Sequence, residues 1–85
     1  MTLQITCKDP KPVVDAFMET VRHGMSIIEC KGAYKGETYY ICESVVSSFE
    51  LPELTRALIK ADPHCLINVY RTVSFYGSFY QKPIE

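Results

Sequence analysis

Gly24-Met25-Ser26-Ile27-Ile28-Glu29-Cys30-Lys31-Gly32-Ala33-Tyr34-Lys35-Gly36-Glu37 is the stretch whose reading decides the fold. It holds three of the chain's four glycines. Gly24 follows a helical pattern and reads as the left-handed residue that stops the helix. Residues 25–34 then read as an apolar strand. A glycine in the short connection Lys35-Gly36 points to an antiparallel hairpin into the next strand. One strand–helix unit precedes this stretch, and a second comes after it.

Working outward toward the N-terminus, residues 2–7 alternate, with Leu3, Ile5 and Cys7 on one side and Thr2, Gln4 and Thr6 on the other. That is a half-buried strand. Lys8-Asp9-Pro10-Lys11-Pro12 breaks it. Asp9 can cap a following helix with Pro10 at the first helical position, where a missing N–H does no harm. Val14, Phe17, Met18 and Val21 recur at helical spacing. Arg22 and His23 fall near the negative end of that helix dipole, so His23 reads as a helix-end charge and not as a base.

Toward the C-terminus, residues 38–46 form a third strand whose Tyr39, Tyr40, Ile41, Val45 and Val46 make both faces partly apolar. A second helix has competing start signals. Ser47 and Glu50 have capping-box spacing, while Pro52 favours a later first turn, which places the start near Glu50. Leu51, Leu54, Leu58 and Ile59 form its expected buried stripe. Asp62-Pro63 ends it, because Pro63 disfavours helical dihedrals at Asp62. Residues 65–73 are a fourth strand, with Ile67 and Val69 on one face and Leu66 and Tyr70 on the other. The tail, residues 74–85, is aromatic (Phe75, Tyr76, Phe79, Tyr80) and is expected to pack on the domain or on a neighbouring subunit.

The order strand–helix–strand–strand–helix–strand is two βαβ crossovers joined by a hairpin. It predicts an α+β fold, a single ferredoxin-like plait over residues 1–85. The four-stranded antiparallel sheet runs in the order four-one-three-two, with both helices on one face. The other face then has no internal cover, and apolar residues on it imply a partner.

Composition narrows the function. The chain has 85 residues, 47% hydrophobic and 22% charged, which is the balance of a soluble globular domain. A net charge of −1 argues against binding a nucleic-acid polymer. No run reaches the length of a membrane span. The four cysteines, at 7, 30, 42 and 65, form no C-x-x-C and are expected to be reduced, buried and free of metal. Other functional classes of the plait need residues this chain lacks. Cys7 is followed by Lys8-Asp9-Pro10 and not by a metal-carrier motif. Lys31-Gly32-Ala33-Tyr34 departs from the RNA-binding pattern and lies on the wrong strand. The first strand is followed by no arginine-bearing anion loop. Ser47-Ser48 is cap chemistry, and no phosphate-loop or dinucleotide motif occurs. Neither an enzyme nor a cofactor is expected.

Lys31, Gly32, Ala33, Tyr34, Lys35 and Gly36 remain as the candidate ligand site. Glycines allow close backbone approach, the lysines supply positive charge, and Tyr34 offers stacking or its hydroxyl, a set that suits an anionic small molecule. The same residues also read as a twisted hairpin with glycines for bulge and turn and lysines for solubility. Gly24 and Ser26 belong to the expected site only across a subunit boundary, since they lie at the other end of the same strand.

Four groups of residues carry a family resemblance. They are Gly24 to Ile28; Lys31-Gly32-Ala33-Tyr34-Lys35-Gly36; Val46-Ser47 with Glu50-Leu51-Pro52-Glu53-Leu54; and Asp62-Pro63. Together these resemble the C-terminal domain of YitT-type bacterial membrane proteins, over roughly residues 3–79. The tail departs from the family's G-x-G-F ending, with Gly77-Ser78-Phe79 holding one glycine. The resemblance implies a domain of unknown function on the cytoplasmic face of the bacterial membrane, partnered by the transmembrane part of the same protein. It also implies a topology similar to the GlnB-like (PII) signalling proteins, which are trimers that bind nucleotides between subunits. Their long effector loop between the second and third strands is missing here. The expectation is a regulatory domain that binds an anionic small molecule and assembles with itself, as a trimer before a dimer. The alternative is a ligand-free oligomerisation module.

Overall fold

The computed structural model describes residues 1–74 and 76. The expectation for the aromatic tail otherwise lies outside the described residues. In chain order the elements are β1 (Thr2–Cys7), α1 (Pro10–Thr20), β2 (Ser26–Lys31), β3 (Thr38–Val45), a 3-10 turn (Ser48–Glu50), α2 (Leu51–Ala61) and β4 (Leu66–Tyr70). The sheet runs β2-β3-β1-β4, and every neighbouring pair is antiparallel. This is the expected strand order read from the other edge, and the arrangement is that of the ferredoxin-like plait.

Register explains which side is the core. Leu3 pairs with Ser44, Ile5 with Cys42 and Cys7 with Tyr40, while Ile5 pairs with Ile67 on the other side. Side chains directly opposite share a face. This row set forms the floor on which Val13 and Phe17 of α1 and Leu54 and Leu58 of α2 are buried. Met25 and Val46 close the end of that core where β2 begins and β3 leaves off.

The second helix uses both of its start signals in sequence. Glu50 reaches back to accept the Ser47 N–H at 2.9 Å, which organises the 3-10 turn, and Pro52 falls in the first turn of α2. Asp62, with extended dihedrals, ends the helix ahead of Pro63. Within α2, Leu54 and Leu58 are fully buried, but Ile59 is 52% exposed, outside the stripe expected for it.

The first helix corrects the sequence reading twice. Asp9 caps it, accepting the Lys11 N–H at 3.2 Å. It then stops at Thr20, before Gly24, because Val21 is already extended (φ −134, ψ 166) while its N–H still bonds the Phe17 carbonyl at 3.0 Å. Val21 thereby turns into the core, and no left-handed glycine is required. Among the described residues the positive φ belongs to Gly36 (φ 71), in the hairpin. The buried stripe also has a different phase: Val13 and Phe17 are its centre, Val14 flanks it and Met18 is 38% exposed.

The opposite sheet face carries Ser26, Ile28 and Cys30 of β2, Tyr39, Ile41, Glu43 and Val45 of β3, Thr2, Gln4 and Thr6 of β1, and Leu66, Asn68 and Tyr70 of β4. No helix among the described residues covers it.

The packing predicts a sharp contrast within α2. Leu58→Ala should cost about 2–5 kcal/mol of folding stability, and Ile59→Ala about 0.5 kcal/mol or less, measured by urea unfolding.

Candidate functional site

Antiparallel pairing sends the chain's connections to two poles. One pole holds residues 8–9, 32–37 and 62–65. The other holds residues 21–25, 46–50 and the exit from β4. The first pole has a cleft of about 1000 Å³. The end of β1 and the start of α1 contribute Thr6, Cys7, Lys8, Asp9 and Pro12. The hairpin contributes Gly32, Ala33, Tyr34, Lys35 and Glu37, and β3 adds Thr38, Tyr39 and Ile41. Ala61, Asp62, Pro63, His64 and Leu66 complete it from the exit of α2 and the start of β4.

Four of the expected site residues therefore line one cleft: Gly32, Ala33, Tyr34 and Lys35. Lys31 and Gly36 flank it. Lys31 pairs with Thr38 and so shares the face of Glu29 and Tyr40, away from Gly32. Gly36 supplies the left-handed turn of the hairpin, and its N–H closes onto the Gly32 carbonyl at 2.9 Å. Gly24 and Ser26 lie at the other pole, about 17 Å away along β2. There the Gly24 carbonyl accepts the Ser44 hydroxyl at 2.6 Å. Within one chain these two groups do not meet.

The cleft has mixed charge. Lys8 reaches Glu37 at 3.1 Å in an exposed pair, a contact of small energetic weight that ties the β1–α1 connection to the hairpin. Asp9 and Asp62 are each held by local backbone N–H groups, from Lys11 at 3.2 Å and from His64 at 3.0 Å. Lys35 of the hairpin and His64 of the α2–β4 connection are exposed polar groups of a lining that also holds Tyr39, Ile41 and Leu66. The arrangement can take a small ligand with an apolar or planar body and a polar end.

Lys8, Asp62, His64 and Leu66 were not among the sequence-predicted site residues. They join the hairpin through the β1–β3 and β1–β4 pairings, which bring together positions some 30 and 60 residues apart. His64 was legible only as a residue at a helix exit.

The other histidine is structural, and its expected role as a helix-end charge is replaced. His23 lies beyond α1, is 5% exposed, and its Nε2 meets the Glu50 carboxylate at 3.0 Å. Burial pushes the Glu50 carboxyl up. The Ser47 N–H, the His23 ring and the Ser47 hydroxyl outweigh that and hold it below its ordinary value. The pair ties the α1–β2 connection to the 3-10 turn.

The thiols of Cys7, Cys42 and Cys65 behave as small core groups on the helix side, whereas Cys30, expected to be buried, lies half-exposed on the open face of β2 because it pairs with Tyr39. Cys7 and Cys42 are buried, and burial pushes the Cys42 thiol up to about 12 and raises those of Cys7 and Cys65. Among the described residues no cluster of metal-ligating side chains is present.

The family described as "Uncharacterized protein conserved in bacteria (DUF2179)" matches residues 23–77, from His23 through the hairpin, β3, α2 and β4. The chain belongs to the DUF2179 family. This DUF2179 domain is also 24% identical, over 79 residues, to the UPF0750 membrane protein YitT of Bacillus subtilis (strain 168). The alignment covers 93% of this chain and 28% of the relative, so the chain spans under a third of that membrane protein's length. The expected YitT-type identity is thus shown. Among the described residues no helix is long and apolar enough to cross a membrane.

The Glu50 environment fixes a pH dependence for the DUF2179 domain. A carboxyl whose folded pKa lies below its unfolded value contributes stability in full above the unfolded value, about 4.3, and loses it as pH falls through the folded value. Glu50→Gln should cost about 1–3 kcal/mol at neutral pH. Its difference from wild type should shrink below about pH 4, read from urea unfolding midpoints across pH.

Proposed function

We propose that this DUF2179 domain is a regulatory, non-enzymatic module of a YitT-type bacterial membrane protein, lying on the cytoplasmic face and binding a small anionic molecule in the hairpin-pole cleft. The observation that carries the reading is the convergence of the hairpin, the β1–α1 connection and the α2–β4 connection around one cleft of about 1000 Å³. That is the size and position of a small-molecule site. Lys35 would meet the anionic group. Gly32 would admit the ligand to the backbone, and Tyr39, Ile41 and Leu66 would take its apolar or planar part.

A second reading is assembly without a ligand, in which the module holds membrane subunits together as a homo-oligomer. The specific feature in its favour is the uncovered sheet face with Ile28, Ile41, Leu66 and Tyr70. The two readings share Ile41 and Leu66, which line the cleft and also lie on the open face, and they separate in one experiment because only the first needs a ligand.

Isothermal titration against a nucleotide panel should give saturable heat with at least one compound. Lys35→Ala should weaken that binding by about 1–3 kcal/mol. A Cβ at Gly32 would meet the Glu37 carbonyl oxygen at 3.6 Å, an ordinary contact, so Gly32→Val should keep the fold while its two methyls crowd the cleft and block binding. Absence of heat throughout would favour ligand-free assembly. Binding with unchanged affinity in both variants would remove the cleft from the mechanism.

A further inference from the structure

β2 is an edge strand, and among the described residues no helix, strand or loop covers its free side. All six of its residues are extended and none is proline or glycine. Ile27 and Ile28 are 50% and 46% exposed, and no element among the described residues lies beyond it. Such an edge is a template for another strand.

Backbone parity says which groups it offers. The Gly32 N–H bonds the Glu37 carbonyl at 2.8 Å, so Gly32 faces β3. Alternation then turns Cys30, Ile28 and Ser26 toward β3 as well, and leaves the N–H and carbonyl groups of Ile27, Glu29 and Lys31 pointing outward. The β3–β1 pairing gives an independent check. Met1 and Val46 exchange both backbone bonds at 2.9 Å, which turns the even-numbered residues of β3 toward β1 and the odd-numbered ones toward β2.

We infer that the free edge of β2 is the contact for a second copy of this chain, joined antiparallel about a two-fold axis at Cys30. The register is set by charge. Outward-facing residues must oppose outward-facing residues, which leaves few symmetric alignments. Centring on Glu29 or on Lys31 sets like charges face to face, and centring on Ile28 opposes Glu29 to Ile27. Centring on Cys30 opposes Glu29 of each copy to Lys31 of the other, twice, with both side chains on one face of the joined sheet. It also places Ile28 opposite the partner's Gly32, where no side chain competes for space. The two open sheet faces become one surface across eight strands. The two cysteines meet in a non-hydrogen-bonded pair, where Cα atoms approach to about 4.5 Å, within disulfide reach. This inference does not rest on the cleft reading, although it sets Ile28 of one copy opposite Gly32 of the other copy's cleft, and it differs from the three-fold assembly that the family resemblance implies.

Sedimentation equilibrium of the 85-residue chain under reducing conditions should show a monomer–dimer equilibrium. Glu29→Lys and Lys31→Glu should each weaken it about tenfold or more, since both pairs turn repulsive, and the double reversal should restore it. Diamide should cross-link wild type into a covalent dimer, the two Cys30 thiols giving up two protons and two electrons as diamide becomes its hydrazine. Cys30→Ser should abolish the cross-link. A chain that stays monomeric, a trimer, single reversals without effect, a double reversal that fails to restore association, or a cross-link that survives Cys30→Ser would each overturn the assignment.

Discussion

The structure rests on the two-residue period of β1 and β3 held in one register. Leu3, Ile5 and Cys7 on the first strand stand beside Ser44, Cys42 and Tyr40 on the third, and these rows are the floor on which both helices are buried. A slip of one residue would turn Thr2, Gln4 and Thr6 beneath the helices and expose the core set. The same alternation that closes one face leaves the other open. It also fixes which pole each connection reaches. The closed core, the bare face and the cleft are therefore consequences of a single pairing.

How much of this could be read from the sequence depends on the range of the determining interaction. β1 was readable to the residue, because alternation and the break at Lys8 to Pro12 are local. The limits of α2 were readable for the same reason: Ser47, Glu50, Pro52 and Pro63 act within a turn of where they stand. The end of α1 was not readable. Gly24 offered a ready stop, but burial of Val21 in the tertiary core ends the helix earlier. The stripe of α1 was misphased by one position, since Val13 and Val14 are equally apolar and only the angle of the helix on the sheet selects between them.

The candidate site divides along the same line. The hairpin was legible because glycines and a short connection are local signals, and Gly32 to Lys35 do line the cleft. The α2–β4 part of its lining was not legible, because Asp62, His64 and Leu66 arrive there only through the crossover of the second half. Lys31 illustrates the limit of composition as a guide. It lies in the right stretch, but strand parity sets it beside Glu29 on the helix side, where it belongs to the edge of the sheet and not to the cleft. His23 looked like a helix-end charge and is instead buried against a carboxylate 27 residues away.

The central claim is that the hairpin pole is where this DUF2179 domain meets a small molecule. Amide NMR of the ¹⁵N-labelled chain, titrated with the nucleotide panel, tests it most directly. The account predicts saturable shifts concentrated at Lys8, Gly32, Ala33, Lys35 and His64, with Gly24 and Glu50 at the far pole unmoved. Shifts confined to the far pole, or none with any compound, would contradict it.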